Sequence, residues 1–429
     1  MQEYKAKSKA ELLQIKEVLE KSYAQSKAEG LTLNMSRGNP AEAQLALSMK
    51  MLDVINEQTL LQSSEGVDCR NYGGLEGLPE AKKLIADMLE VDTSNVLVGG
   101  NSSLNLMYNT IAKAVTHGIL GETPWCKCDT IKFLCPAPGY DRHFAITEHF
   151  GIEMIAIPMK DEGPDMDLVE RLVNEDKAIK GIWCVPKYSN PQGITYSDDT
   201  VKRFANLKPA ARDFRLYWDN AYAEHHLYAD KHDELLNILE ECKKTDNEDL
   251  PYIFCSTSKI SFPGSGIAAM VASANNIQDM LKTLMIQTIG PDKINQLRHV
   301  KFFGNIETLR AHMCKHADII RPKFEMVFRL LDEELSGLGI AEWRTPNGGY
   351  FISFNALPGC AREIIAKAAE AGLVMTGAGA TYPYGKDPED KNIRIAPTFP
   401  DLEELEKAVN LFVLCVKIVS IEKLLEVLK

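Results

Sequence analysis

Charged and apolar residues alternate at helical spacing over residues 3–28 and stop at Gly30, which predicts an amphipathic helix. An extended segment follows, then a turn at Ser36-Arg37-Gly38-Asn39-Pro40. Beyond it, short apolar runs alternate with longer helical stretches. The runs at 95–98, 130–135, 154–157, 181–185, 216–218, 252–255 and 268–272 predict seven strands. Several are almost continuously hydrophobic, the pattern of strands covered on both faces, so the sheet is expected to be mostly parallel and of α/β class.

A second region begins near residue 321. It predicts a helix to about 335, a strand at 350–354, a helix at 361–371, strands near Leu373 and Ile393, and a long helix from Leu402. This reads as a smaller α+β domain joined by the N-terminal segment. The expected division is 1–49, 50–320 and 321–429. No internal repeat or low-complexity tract interrupts it, and the polar stretch 243–249 reads as a surface loop.

Composition narrows the function. A chain of 429 residues can bury a large core, and 45% hydrophobic with 25% charged residues is ordinary for a globular protein. The net charge of −12 argues against non-specific nucleic-acid binding, which needs a basic surface. It leaves an anionic substrate open, because local arginines can dominate a cleft. No apolar run approaches the roughly 18–20 residues that span a bilayer, so no membrane association is expected. The Lys-, Glu- and Gln-rich start reads as something other than a signal peptide. The ten cysteines are scattered, with only Cys126 and Cys128 close together, and Cys184 and Cys255 sit inside apolar runs. A reducing cytoplasm is the expectation.

Open α/β sheets bind ligands outside the carboxyl ends of their strands. Gly99-Gly100-Asn101-Ser102-Ser103 follows the first predicted strand, and Pro136-Ala137-Pro138-Gly139-Tyr140-Asp141-Arg142-His143 the second. Pro186-Lys187-Tyr188-Ser189-Asn190-Pro191-Gln192-Gly193, Asp219-Asn220-Ala221-Tyr222 and Ser256-Thr257-Ser258-Lys259 follow three others. Five strand ends thus carry five polar or aromatic clusters, a convergence more specific than any one of them.

With these motifs the chain resembles the fold type I, pyridoxal 5′-phosphate (PLP)-dependent class I aminotransferases. The carrying residues are Asn190-Pro191-Gln192-Gly193, Asp219-x-Ala221-Tyr222, Ser256-x-Ser258-Lys259, and Arg394 in Ile393-Arg394-Ile395-Ala396-Pro397. They occur in the family's order and cover about residues 30 to 400. Three strings are similar to the type Ic aspartate aminotransferase subgroup: 36–40, Gly-Tyr-Asp-Arg-His at 139–143, and 289–299.

The resemblance implies a role for each. Lys259 forms the Schiff base with PLP and shuttles the proton between Cα and C4′, which desolvation of a lysine amine favours. Asp219 pairs with the pyridine nitrogen; taken alone, it reads more readily as a helix cap. Asn190 and Tyr222 bond the phenolic oxygen, or else are a turn residue and a core aromatic. His143 stands behind Asp219, or is a plain turn histidine. Tyr140 stacks on the ring. Gly100, Asn101 and Ser102 offer backbone N–H groups to the phosphate, joined by the Ser256 and Ser258 hydroxyls. Tyr72 matches a tyrosine that reaches the phosphate from a neighbouring subunit, so a homodimer with shared sites is implied. Arg394 clamps the substrate α-carboxylate, and Gly38 lets backbone approach it.

Two points stay open at this level. The arginine that many members carry about eight residues after the lysine is absent from Ile260-Ser261-Phe262-Pro263-Gly264-Ser265-Gly266-Ile267, so serines, backbone amides or a cation from elsewhere must serve the phosphate. For a distal substrate carboxylate, Arg37, Arg142, Lys293 and Arg298 are candidates, each of which could equally form a structural salt bridge. His312 and His316 (i, i+4) and His225-His226 lack a convincing third ligand nearby and read as ordinary helix and loop histidines, with no metal expected. The implied activity is ping-pong transamination between aspartate or glutamate and a 2-oxo acid. The alternatives are a β-lyase or an aminotransferase for other amino acids on the same scaffold, and a silent PLP-binding regulator; the first 30 residues are expected to be too few for the regulator's DNA-binding domain.

Overall fold

Each of the seven apolar runs forms a strand of one sheet. In the computed structural model, which describes residues 3–428, their order is Val96–Val98, Ala268–Val271, Pro251–Ser256, Arg215–Asp219, Ile179–Cys184, Lys132–Ala137 and Glu153–Lys160. A two-residue strand, Gly163–Pro164, adds an eighth at the edge. The strands from Pro251–Ser256 to Glu153–Lys160 are parallel, whereas Ala268–Val271 runs antiparallel to both its neighbours. Every residue of Arg215–Asp219 and Ala268–Val271 is buried. The faces explain why no polar alternation appears in the sequence: Leu216 and Trp218 pack into one apolar cluster, Tyr217 into the other.

Three strands, Ala341–Trp343, Ile352–Ala356 and Asn392–Ile395, form a separate antiparallel sheet. The first of these, short and half-exposed, has no apolar run to announce it. The N-terminal segment packs against this part of the molecule. Its helix, Lys9–Ala28, starts at a Ser8–Glu11 capping box and lies on the C-terminal helix Leu402–Val427. The strand Leu33–Asn34 pairs in parallel with Leu373–Val374.

One helix differs from the expectation. Instead of starting near residue 321, it runs unbroken from Ile306 to Leu335, capped by Asn305, whose side chain accepts from the Thr308 N–H. Pro322 lies inside it; a proline has no N–H to donate and commonly opens a helix. The expected division at 320 falls within this helix, where its buried side chains change partners. Ile306, Leu309 and Met313 join the sheet's core, and Ile320, Phe324 and Leu331 join that of the antiparallel sheet. Among the described residues no helix is long and apolar enough to cross a membrane.

Candidate active site

The carboxyl end of the sheet gathers most of the expected residues. Asp219 ends its strand, is 4% exposed, and accepts at Oδ2 from His143 Nε2 at 2.9 Å. It caps no helix. His143 is fixed in turn: its ring stacks on Trp183 (4.4 Å between centroids, 11° between planes) and meets the edge of Tyr140. The other carboxylate oxygen, Oδ1, is buried without a partner. A buried acceptor left unpaired is costly unless a donor comes from outside the chain. The N–H of a pyridinium ring is such a donor, so this oxygen fits the expected cofactor.

Lys259 follows in the turn after Pro251–Ser256. Its residue keeps some exposed surface, yet its amine lies among aromatic rings, 5.3 Å from the centre of Tyr222 and 5.8 Å from that of Tyr350. Desolvation there holds the amine below the ordinary lysine pKa, against a weaker upward pull from the Asp219 carboxylate. Tyr222 and Tyr350 stack on each other, and burial pushes both phenols up.

The loop of Gly100, Asn101 and Ser102 meets the serine turn through Asn101. Ser258 Oγ donates to the Asn101 carbonyl (3.2 Å), and Ser256 Oγ lies 3.1 Å from Ser258 Oγ. Ser102 begins the helix Ser103–His117 without a side-chain cap, so the first-turn amides have no side-chain acceptor of their own. Arg298 reaches the neighbouring loop. Its Nη2 donates to the Ser265 carbonyl at 3.1 Å and to Ser265 Oγ, while its Nε is buried and unpartnered. That loop touches the serine turn, because a Cβ on Gly266 would stand 3.1 Å from the Ser258 nitrogen.

Arg394, buried, donates from Nη1 to Asp141 Oδ1 (3.0 Å) and Asn190 Oδ1 (3.3 Å), and from Nη2 to Thr376 Oγ1 (3.3 Å). Its guanidinium lies over the Phe351 ring, 4.8 Å from the centroid. Gly38 abuts the same ring: a Cβ there would sit 2.4 Å from Phe351 Cζ.

Arg37 and Arg142 are exposed, and among the described residues neither makes an ion pair. Lys293 is buried and donates to the Asn71 and Gly73 carbonyls, both at 2.7 Å, bracing the turn that carries Tyr72. Tyr72 itself is 79% exposed. Sequence reasoning missed Asp141, Thr376, Phe351, Tyr350 and Gln44. Asp141 alone had a signal, its place inside the string at 139–143.

Comparisons with known proteins agree with this geometry. The family described as aspartate amino-transferase matches residues 7–427. An aspartate aminotransferase of Corynebacterium glutamicum is 42% identical over 407 residues, covering 95% of this chain and 94% of that one. The crystal structure of an aspartate transaminase from the same species superposes with a TM-score of 0.95 at 41% identity, covering 98% of this chain and 99% of that one. At 18% identity and a TM-score of 0.73, the α-aminoadipate aminotransferase of Thermus thermophilus, solved with N-(5′-phosphopyridoxyl)-L-leucine, shares the fold over 92% of this chain and 93% of its own. An unpaired buried acid, a desolvated lysine and a buried arginine, set on a scaffold matched over nearly its whole length, leave one assignment: this chain belongs to the aspartate amino-transferase family.

Proposed function

We propose that the protein is a PLP-dependent aminotransferase that moves an amino group between a dicarboxylic amino acid, aspartate or glutamate, and a 2-oxo acid. The observation that carries the reading is the unpaired Asp219 Oδ1, buried at the strand end beside a desolvated Lys259. When bound, pyridoxal phosphate supplies a conjugated ring that accepts the electron pair released at the substrate Cα.

The chain's residues do the rest. Asp219 holds a proton on the pyridine nitrogen, and His143 keeps the carboxylate turned toward it. Lys259, whose amine desolvation holds below the ordinary lysine pKa, would take up the proton released at the substrate Cα and hold it for return. Asn190, whose Oδ1 is engaged by Arg394, keeps its amide hydrogens for the phenolic oxygen, joined by Tyr222. Tyr140 covers the ring. Gly100, Asn101, Ser102, Ser256 and Ser258 hold the phosphate, and Arg298, rather than an arginine after the lysine, supplies the cation. Arg394 receives the α-carboxylate beside Gly38, and Arg37 or Arg142 is within the chain's means for a distal carboxylate. The two half-reactions balance: one amino acid leaves as its 2-oxo acid, and a second 2-oxo acid leaves as an amino acid.

A second copy of the chain completes the site in this reading. Exposed Tyr72 shares a surface hollow with Ile289, which is 61% exposed, and Ile286 nearby is 85% exposed. The activity is tested by mixing the PLP-loaded protein with single amino acids and following the cofactor's absorbance. Aspartate or glutamate should convert it to the amino form. Reaction with aromatic or aliphatic amino acids only would overturn the substrate assignment.

A further inference from the structure

Successive side chains of a strand point to opposite faces, and at the end of Arg215–Asp219 the two faces meet different spaces. Asp219 faces the active site. Its neighbours Trp218 and Asn220 line a separate cavity of about 460 Å³, a volume within the range of small-molecule sites. None of the active-site residues named above borders it. Met88, Leu235, Ile253 and Met313, from or packed against the sheet's core, give it an apolar wall. It reaches the surface beside Cys314, which is exposed.

The polar lining has two unmet needs. Lys187 is only 8% exposed, and among the described residues its amine has one acceptor, the Ala223 carbonyl at 3.0 Å. An ammonium carries three hydrogens, so this one bond leaves it short of partners. The other need is Asn220 Oδ1, buried in the lining without a donor. Buried polar groups of this kind are costly unless something outside the chain completes them. The remaining cations of the lining are matched: Arg310 Nε meets Glu224 at 3.1 Å, Arg321 meets Asp318 at 2.7 Å, and His232 meets Glu234 at 2.9 Å. Among the described residues Lys187 has no carboxylate within 4.0 Å.

One small molecule answers both needs if it carries a carboxylate for Lys187 and a donor for Asn220 Oδ1. We propose that this cavity is a second binding site, which takes an apolar α-amino acid as its zwitterion. The carboxylate lies on Lys187, the ammonium on Asn220, and the side chain against Met88, Ile253 and Met313. The surrounding charge favours a zwitterion over a plain anion, because Glu224, Glu234 and Asp233 all act on Lys187 from nearby. An ammonium on the ligand meets that acidic field favourably. A dicarboxylate or a phosphate would bring further negative charge with no free cation to meet it, and would leave the apolar wall uncovered. The site is distinct from the one that binds the transamination substrates and does not rest on the function read above.

Alkylation of Cys314 by iodoacetamide, followed on its peptide by mass spectrometry, reads occupancy of the cavity without turnover. The PLP-loaded protein is first reduced with borohydride, which silences the active site. The probes are L-leucine, L-methionine and L-phenylalanine, and Cys126, exposed and outside the cavity, is the internal control. At least one probe should slow the labelling of Cys314 saturably and leave Cys126 unchanged, whereas aspartate should protect neither. Isocaproate and isoamylamine keep the leucine side chain but each lack one charged group, and should protect far less well than leucine. Lys187→Met and Asn220→Ala should each raise the half-protecting concentration about ten- to hundredfold, the worth of one charge-assisted hydrogen bond. No protection by any probe, or equal protection by isocaproate, would overturn the proposal. So would unchanged protection in both variants, which would make Lys187 a mere tie to the Ala223 carbonyl. Because the label is read at Cys314 and not by activity, the outcome stands whether or not the transaminase reading does.

Discussion

Arg394 gives Nη1 to Asp141 Oδ1 at 3.0 Å and keeps a buried Nε without a partner. Asp141 therefore orients the guanidinium through one corner and leaves the Nε–Nη2 edge, lightly held by Thr376, for a substrate carboxylate. Replacing Asp141 with alanine should raise KM for the amino acid about tenfold, worth about 1.4 kcal/mol, with little change in kcat. Steady-state kinetics check it; a KM at the wild-type value would mean Arg394 orients itself.

Gly38→Ala tests the other support of Arg394. The added methyl would run into the Phe351 ring, on which the guanidinium lies. Overpacking of this kind costs about 1–3 kcal/mol, so the thermal unfolding midpoint should fall by about 1–3 degrees in a chain of this length. KM for the amino acid should rise with it.

Sheet and candidate cofactor-site residues were legible in the sequence for one physical reason. Strands covered on both faces are short, continuous apolar runs, and the residues just after each run lie at the ligand-binding edge. Asp219, Lys259, Gly100 and Asn190 are all found that way. The rest comes from pairs far apart in the chain. Gln44 meets His316 and Tyr350 only because the N-terminal segment folds back onto a distant helix, and helical periodicity shows merely that His312 and His316 are on its buried face. The helix's true start was hidden by Pro322, and the support of Arg394 by Phe351 is a contact across two segments that no local pattern records.

Asp219→Asn replaces the unpaired anionic oxygen with a neutral amide. Charge stabilisation of this sort is worth on the order of 10²–10³ in kcat, and that is the expected loss. His143→Phe keeps a ring to stack on Trp183 but strips the Asp219 carboxylate of its bond at Oδ2. It should lose about ten- to hundredfold, the worth of one charge-assisted bond. Equal losses from both would show that His143 does more than hold the carboxylate.

Arg298→Met separates the phosphate from the rest of the cofactor. Loss of a charge-assisted contact costs about 1.5–3 kcal/mol, so PLP should bind about ten- to hundredfold more weakly. Pyridoxal, which lacks the phosphate, should bind as before. Titration of apo-protein with each aldehyde checks this, and parallel losses for both would assign Arg298 to the loop's structure instead.

The proposed chemistry depends on one amine, desolvated between Tyr222 and Tyr350 beside Asp219, carrying the cofactor. Borohydride reduction of the PLP-loaded protein, followed by digestion and peptide mass mapping, identifies the lysine that holds it. The pyridoxyl mass should appear on the peptide containing Lys259 and be absent in Lys259→Ala. The label on another lysine, or on none, would refute the assignment.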